Sequence, residues 1–409
     1  LLKRIDLSRE NRRLDDLAPS LIRNAALAGG IALAISVLIA FMTEGGRLRF
    51  FNAYMVNFCF FLSLSLGALF FIMVQHLSRA GWSVVVRRVA EGVSANLALL
   101  ILLFLPVILG MHYLFPWTRA DLVAADPLLQ WKQPYLNIPF FLVRCVVYFG
   151  VWVGLANYLR NRSLEQDVSG DIGLTLRMER ISAPGIIVFS LTLTFAAFDF
   201  IMSRDPHWFS TIFGVYYFAG CILSFHALNA VLFYLLHRAG RLKHAVTPEH
   251  FHDIGKLMFA FTVFWAYISF SQFMLIWYAH LPEETGWFDR RQSSGWMTIS
   301  MIIVLCHFII PFFGLISRYP KRRPPLLAFW GVWILVFHWL DLYWMTMPEY
   351  GWGIPGMVVD KVPFHILDFT TFLALGGFYV AGLVYWLRGQ SLIPERDPRL
   401  AESLAFENA

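Results

Sequence analysis

Charge is the scarcest property of this sequence. Only 15% of its 409 residues are Asp, Glu, Lys or Arg and 58% are apolar, against roughly 25% charged in ordinary soluble domains. So little charge cannot clothe a water-facing globule of this length, which argues against a soluble enzyme. Cysteine is also rare. Cys59, Cys145, Cys221 and Cys306 each fall inside an apolar run, with no C-x-x-C spacing. Iron–sulfur, zinc-ribbon and covalent haem attachment are therefore unsupported, and no metal site is expected. Alternating ten-residue segments, the mark of an outer-membrane barrel, are absent. A cleavable signal pattern is not visible either, because the first apolar run follows a polar tail and reads as a full span.

What the chain does have is length of apolar run. Ten runs occur at about 21–43, 50–75, 94–115, 137–159, 181–202, 210–236, 254–279, 296–317, 326–347 and 366–387. Each is long enough as a helix to cross a hydrocarbon core of about 30 Å. The predicted fold class is all-α integral membrane, with ten transmembrane helices. Ten crossings leave both ends on one side, and Lys and Arg decide which. The tails and even-numbered connections hold 24 of the 33 basic residues, the odd-numbered connections hold 8, and Arg144 lies within a run. Both termini are expected in the cytoplasm, so the net charge of +6 needs no nucleic acid to explain it.

Ionisable residues inside the runs are the candidates for chemistry, since each costs about 2.5–3.5 kcal/mol at a helix centre unless paired or watered. Asp199 stands near the outer end of the fifth run, in AFDFIMSRDPHW. Arg144 lies inside the fourth; it either snorkels outward or pairs with a carboxylate at its depth, for which Asp199 is suited. His76 closes the second run beside Gln75. His226 lies in the inner half of the sixth, next to Ser224 and Asn229. Lys256 opens the seventh, whose Thr262, Ser269 and Gln272 share one helical face, as bundle contacts or as a water file. His307 sits mid-way along the eighth, before Pro311. His338 and Asp341 share a face of the ninth at i and i+3, and Asp368 begins the tenth. The histidine-rich stretch 237–252 is irregularly spaced among Arg and Lys and reads as a solvated face. The connection 160–181 reads as a surface loop with a short amphipathic turn.

Internal echoes are present. LSRAG at 77–81 and LHRAG at 236–240 close the second and sixth runs, and FDFIM around Asp199 is matched by LDLYWM around Asp341. Two landmarks displaced by four helices suggest parallel repeats, as in other membrane folds. The repeats are placed at about 50–202 and 210–347. Residues 1–20 are expected to form a cytoplasmic tail, 21–388 the membrane domain and 389–409 a second cytoplasmic tail.

The strings FDFIMSRDPHWFSTIFGVYYFAG, GKLMFAFTVFWAYISFSQFMLIWYAHLPEET and HWLDLYWMTMPEYG resemble the polysulfide-reductase-type (NrfD-like) membrane subunits, and in particular the second large one of bacterial alternative complex III. The similarity runs from about Gln75 to about Arg388. It implies two four-helix bundles plus a flanking helix pair, 21–43 and 366–387, in a bacterial cytoplasmic membrane. It further implies a menaquinol-oxidising complex that delivers electrons to cytochrome c or a terminal oxidase. The implied partners are a sister NrfD-like subunit, an iron–sulfur protein, multihaem cytochrome c, small membrane subunits and lipids. Haem and iron–sulfur centres belong to those partners, and menaquinone to the sister subunit more than to this chain.

Quinol oxidation releases two protons with two electrons, so a quinol site needs a proton acceptor and a hydrogen-bond donor. Histidine–carboxylate pairs supply both. His338 and Asp341 form the best pair here and are the candidate quinone contacts. A relay from His76 or His226 through His307 to His338 and Asp341 has the spread of a proton path, with Arg144, Asp199 and Asp368 as outer partners and Lys256 and Gln272 along the seventh helix. The expected function is scaffolding of a quinol:cytochrome c oxidoreductase together with such a path. The rival is a purely structural anchor. A haem-binding cytochrome b would need His226, His307 and His338 near one iron, and a transporter would need helices broken mid-span.

Overall fold

The computed structural model describes residue 7, residues 10–352 and residues 361–408. Expectations for residues 1–6, 8, 9 and 409 of the tails lie outside the described residues. No strand occurs among the described residues, and ten helices are long and apolar enough to cross a membrane. They are α1 Ala18–Met42, α2 Gly46–Leu77, α3 Gly81–Leu109, α4 Ile138–Ser169, α5 Ile172–Phe200, α6 Phe213–Arg238, α7 Pro248–Ala279, α8 Ser294–Ile316, α9 Pro324–Thr346 and α10 Ile366–Leu387.

Helix α2 is apolar all round and is buried along nearly its whole length, as expected of a helix with no polar face to turn outward. It touches α1, α3, α5, α6, α9 and α10, and α6 in turn packs on α5, α7 and α9. Gly67 makes the α2–α6 crossing possible: a Cβ there would lie 2.1 Å from the Cys221 carbonyl oxygen. Helices α1 and α10 meet equally closely, since a Cβ on Gly377 would stand 2.6 Å from the Ala25 carbonyl oxygen. Small residues let backbones approach where oil supplies no hydrophobic drive between helices.

Three expectations are corrected. The third helix starts at Gly81 rather than 94, because Arg87, Arg88 and Glu91 are buried as ion pairs that a hydropathy scan counts only as charge. Arg87 also pairs with Asp397, and Arg88 with Asp167 at 2.7 Å. The 160–181 connection is no loop. Helix α4 runs to Ser169, Gly170 turns the chain at φ +70, and Asp171 caps α5 by accepting from the Gly173 amide at 2.7 Å. Nor is the histidine-rich stretch a solvated face. His250 and His252 are buried, His237 is partly buried, and His244 alone of the four is exposed. His250 accepts from the Thr247 amide on Nδ1 and places Nε2 3.1 Å from the Ser403 carbonyl.

Both tails fold back onto this end of the molecule. Leu392 donates its amide to the Arg12 carbonyl at 2.8 Å, Arg12 pairs with Glu395 at 2.7 Å, and Leu242 donates to the Asn11 carbonyl at 3.2 Å.

Candidate functional site

Two of the intramembrane carboxylates are closed off by arginine. Arg144 donates from Nε and Nη2 to Asp199 at 2.7 and 2.9 Å, and Tyr148 adds its hydroxyl to Oδ2 at 2.7 Å. The Arg144 side chain is buried and stacked over the Tyr135 ring at 3.9 Å. Of its two readings, pairing is the one found. Asp368 takes the Arg49 guanidinium and, at 2.9 Å, the His365 amide at the head of α10. Neither carboxylate reaches the other predicted site residues.

His338 and Asp341 do meet a partner. His307 on α8 joins them, and one donor atom from each lies within 4.8 Å of the others, with all three residues fully buried. Asp341 accepts from the Tyr216 hydroxyl of α6 at 2.6 Å and from the Trp265 indole of α7 at 3.0 Å. The Trp265 ring meets the His307 ring edge-on at 4.3 Å. His338 Nε2 stands 2.9 Å from the Ser63 oxygen of α2, whose single hydrogen is committed to the Phe60 carbonyl at 2.7 Å. The network therefore makes Nε2 the donor and leaves Nδ1 a bare acceptor. That nitrogen and both nitrogens of His307 have no hydrogen-bond partner among the described residues. The turn carrying His307, 304–309, is π-helical and runs into Pro311, a residue that cannot donate to the carbonyl four places earlier.

Beside this group, α7 and α8 part to leave an apolar cleft of about 570 Å³. Tyr216 and Trp265 line its inner wall, and Ser269, Phe273, Ser300 and Trp344 line the rest. Asp341 and His338 lie behind that wall, so Tyr216 and Trp265 are the groups the cleft presents.

The remaining candidates are spread out. His226 is buried between the rings of Phe71 and Phe261, its Nδ1 unpartnered, as are both amide atoms of Asn229 one turn away. His76 Nε2 and Gln75 Oε1 are likewise buried, and none of these atoms has a hydrogen-bond partner among the described residues. Lys256 is exposed near the start of α7, pairing with Asp253 and donating to Asn408 at 2.8 Å. Thr262 bonds back to the Met258 carbonyl, and Gln272 accepts from Ser210 at 3.0 Å, so the polar line of α7 is used in helix and bundle contacts.

Sequence reasoning passed over Tyr216, Trp265 and Ser63, whose types are common in membrane helices and whose roles arise across helices. It also gave Glu349 no role. That carboxylate lies just beyond the end of α9, 3.2 Å from both Arg290 and Arg291. Burial alone would lower the Arg290 basicity, but Glu349 and Asp205 outweigh it and raise the group above its ordinary value.

No protein-family model matches the chain, and no curated protein is detectably similar to it. The likeness to NrfD-like subunits thus rests on the strings quoted above.

Proposed function

We propose that this chain is an NrfD-like membrane subunit of a bacterial quinol-oxidising complex, with both termini in the cytoplasm, and that it carries protons through its interior. The observation behind this reading is the buried His307–His338–Asp341 group, with uncommitted lone pairs, set directly behind the wall of a lipid-facing cleft. Electrons from the quinol pass to iron–sulfur and multihaem partners, and the sister subunit takes the menaquinol. This chain's residues hold and move protons.

The hydrogen-bond directions suit a relay. Tyr216 already donates to Asp341, so a proton taken up by the tyrosine from the cleft side releases the tyrosine's own to the carboxylate. From Asp341 the next acceptors are the imidazoles of His307 and His338, each offering a ring nitrogen within 4.8 Å. Neither is hydrogen-bonded to the carboxylate, so water bridges those steps. The Nε2 hydrogen of His338 faces Ser63, 3.5 Å from Ser224. Further in, His226, Asn229, Gln75 and His76 offer buried groups without protein partners, the kind of site that internal water occupies. Imidazole serves here because it accepts and donates at different atoms.

Asp341→Asn keeps the shape and removes the proton carrier. In the assembled complex it is expected to abolish quinol-driven proton release while the subunits remain associated. Unchanged turnover and proton release would leave only the anchor role, which the closed Arg144–Asp199 and Arg49–Asp368 pairs already serve.

A further inference from the structure

We propose that His307, His338 and Asp341 bind one divalent transition-metal ion of the zinc class, and that its binding blocks the proton path. The blocking clause rests on the function proposed above; the site itself does not.

Three residues from two neighbouring helices bring two imidazoles and a carboxylate to one buried point, each offering a ligand atom within 4.8 Å of the others. That donor set belongs to zinc and its neighbours rather than to magnesium or calcium, which take oxygen. The nitrogens are ready to ligate. Nδ1 of His338 is left bare by the bond of Nε2 to Ser63, and His307 has both nitrogens uncommitted. Each Asp341 oxygen accepts one bond, from Tyr216 or Trp265, and keeps a lone pair. Ser63 thus orients His338, and Tyr216 and Trp265 orient Asp341, from behind, as the outer partners of metal ligands do. His307 has no such hydrogen bond among the described residues and is held by the edge of the Trp265 ring.

Charge also balances. Among the described residues, no arginine or lysine forms an ion pair with Asp341. Two neutral imidazoles, one carboxylate and one hydroxide would make a divalent ion neutral overall in a medium that penalises net charge. Zinc bonds of about 2.0–2.1 Å put tetrahedral ligand atoms roughly 3.4 Å apart, so atoms now within 4.8 Å of one another must close by up to about 1.4 Å. His307 rides on a π-helical turn, a distortion found frequently at functional sites. The cleft comes up to Tyr216 and Trp265, behind which the ligands lie, so an entering ion has to pass those two side chains. With the metal seated, the lone pairs that would pass a proton are occupied.

The test uses the full chain, purified in its complex, stripped with chelator and titrated with Zn²⁺ alone. One ion per chain is expected, with nitrogen and oxygen neighbours at about 2.0 Å by X-ray absorption. His307→Ala and His338→Ala should each weaken binding at least 100-fold, and Ser63→Ala should weaken it about 10- to 100-fold. Thermal melting of each variant checks that it is folded. Wild-type protein that takes up no more zinc than a folded His307→Ala/His338→Ala double variant would overturn the site. Stoichiometric zinc with undiminished proton release in wild-type complex would overturn the blocking clause alone. Zinc still bound in a complex whose Asp341→Asn variant releases protons normally would sink the path and keep the site.

Discussion

Arg144 grips Asp199 through two nitrogens at 2.7 and 2.9 Å, while Asp341, the aspartate of the matching sequence echo four helices later, accepts among the described residues from the neutral donors Tyr216 and Trp265. One carboxylate is neutralised in place and holds α4 to α5. The other keeps its capacity to take up a cation, beside two imidazoles. The matching aspartates of two similar strings are therefore an arginine-held clamp in one and, among the described residues, a carboxylate without an ion-pair partner in the other.

For the clamp, removal of either partner strands a buried charge, at a cost of about 3–5 kcal/mol. Arg144→Met and Asp199→Leu should each lower the unfolding temperature in detergent sharply, and the double replacement should recover most of the loss. A double variant no more stable than the singles would contradict the pairing.

At the relay, Tyr216→Phe takes one donor from Asp341, worth about 1–3 kcal/mol of stability. We expect proton release by the complex to slow at least tenfold. Tyr148→Phe removes a comparable bond from Asp199 and should leave proton release unchanged. Equal effects of the two would mean that only stability is being read.

Glycine packing can be probed without touching charge. A Cβ at Gly67 would press on the Cys221 carbonyl oxygen and on the Phe225 Cβ, neither of which is a flexible tip. Gly67→Ala should cost about 3 kcal/mol, the upper part of the overpacking range. Gly220→Ala would set its methyl 2.8 Å from His338 Cε1. It should displace the imidazole and impair proton release with a smaller loss of stability.

In the connection between α3 and α4, Asp126 bonds His207 and the amides of Leu128 and Leu129. Burial pushes its carboxyl up, but the hydrogen bonds from His207 and the amides outweigh it and hold the group below its ordinary value. A carboxyl lowered by folding adds stability above its unfolded value and loses it as pH falls through the folded one. The melting-temperature gap between wild type and Asp126→Ala should therefore be open at pH 5 and narrow below about pH 4. A gap that does not change over that range would rule out the shift.

The hydropathy of ten runs was enough to place ten helices, because a span is a local property of about 20 consecutive residues. It failed at the start of α3 and across 160–181, where charged side chains are carried within helices by partners far along the chain. His338 and Asp341 were legible as a pair from their i, i+3 spacing. That Asp368 belongs to Arg49 instead was not.

What the sequence alone determined is the class of protein and the short roster of buried titratable groups, since scarcity of charge in oil makes each one conspicuous. Which of them are silenced and which stay open was decided only when the helices packed. Arg144 and Asp199 lie 55 positions apart, and Ser63 and His338 lie 275 apart. A hydrogen bond depends on direction and on a few ångströms of separation, and neither is encoded in the local run of residues. The fold alone turned Asp199 toward a guanidinium and left Asp341 facing two uncharged donors and a pair of imidazoles.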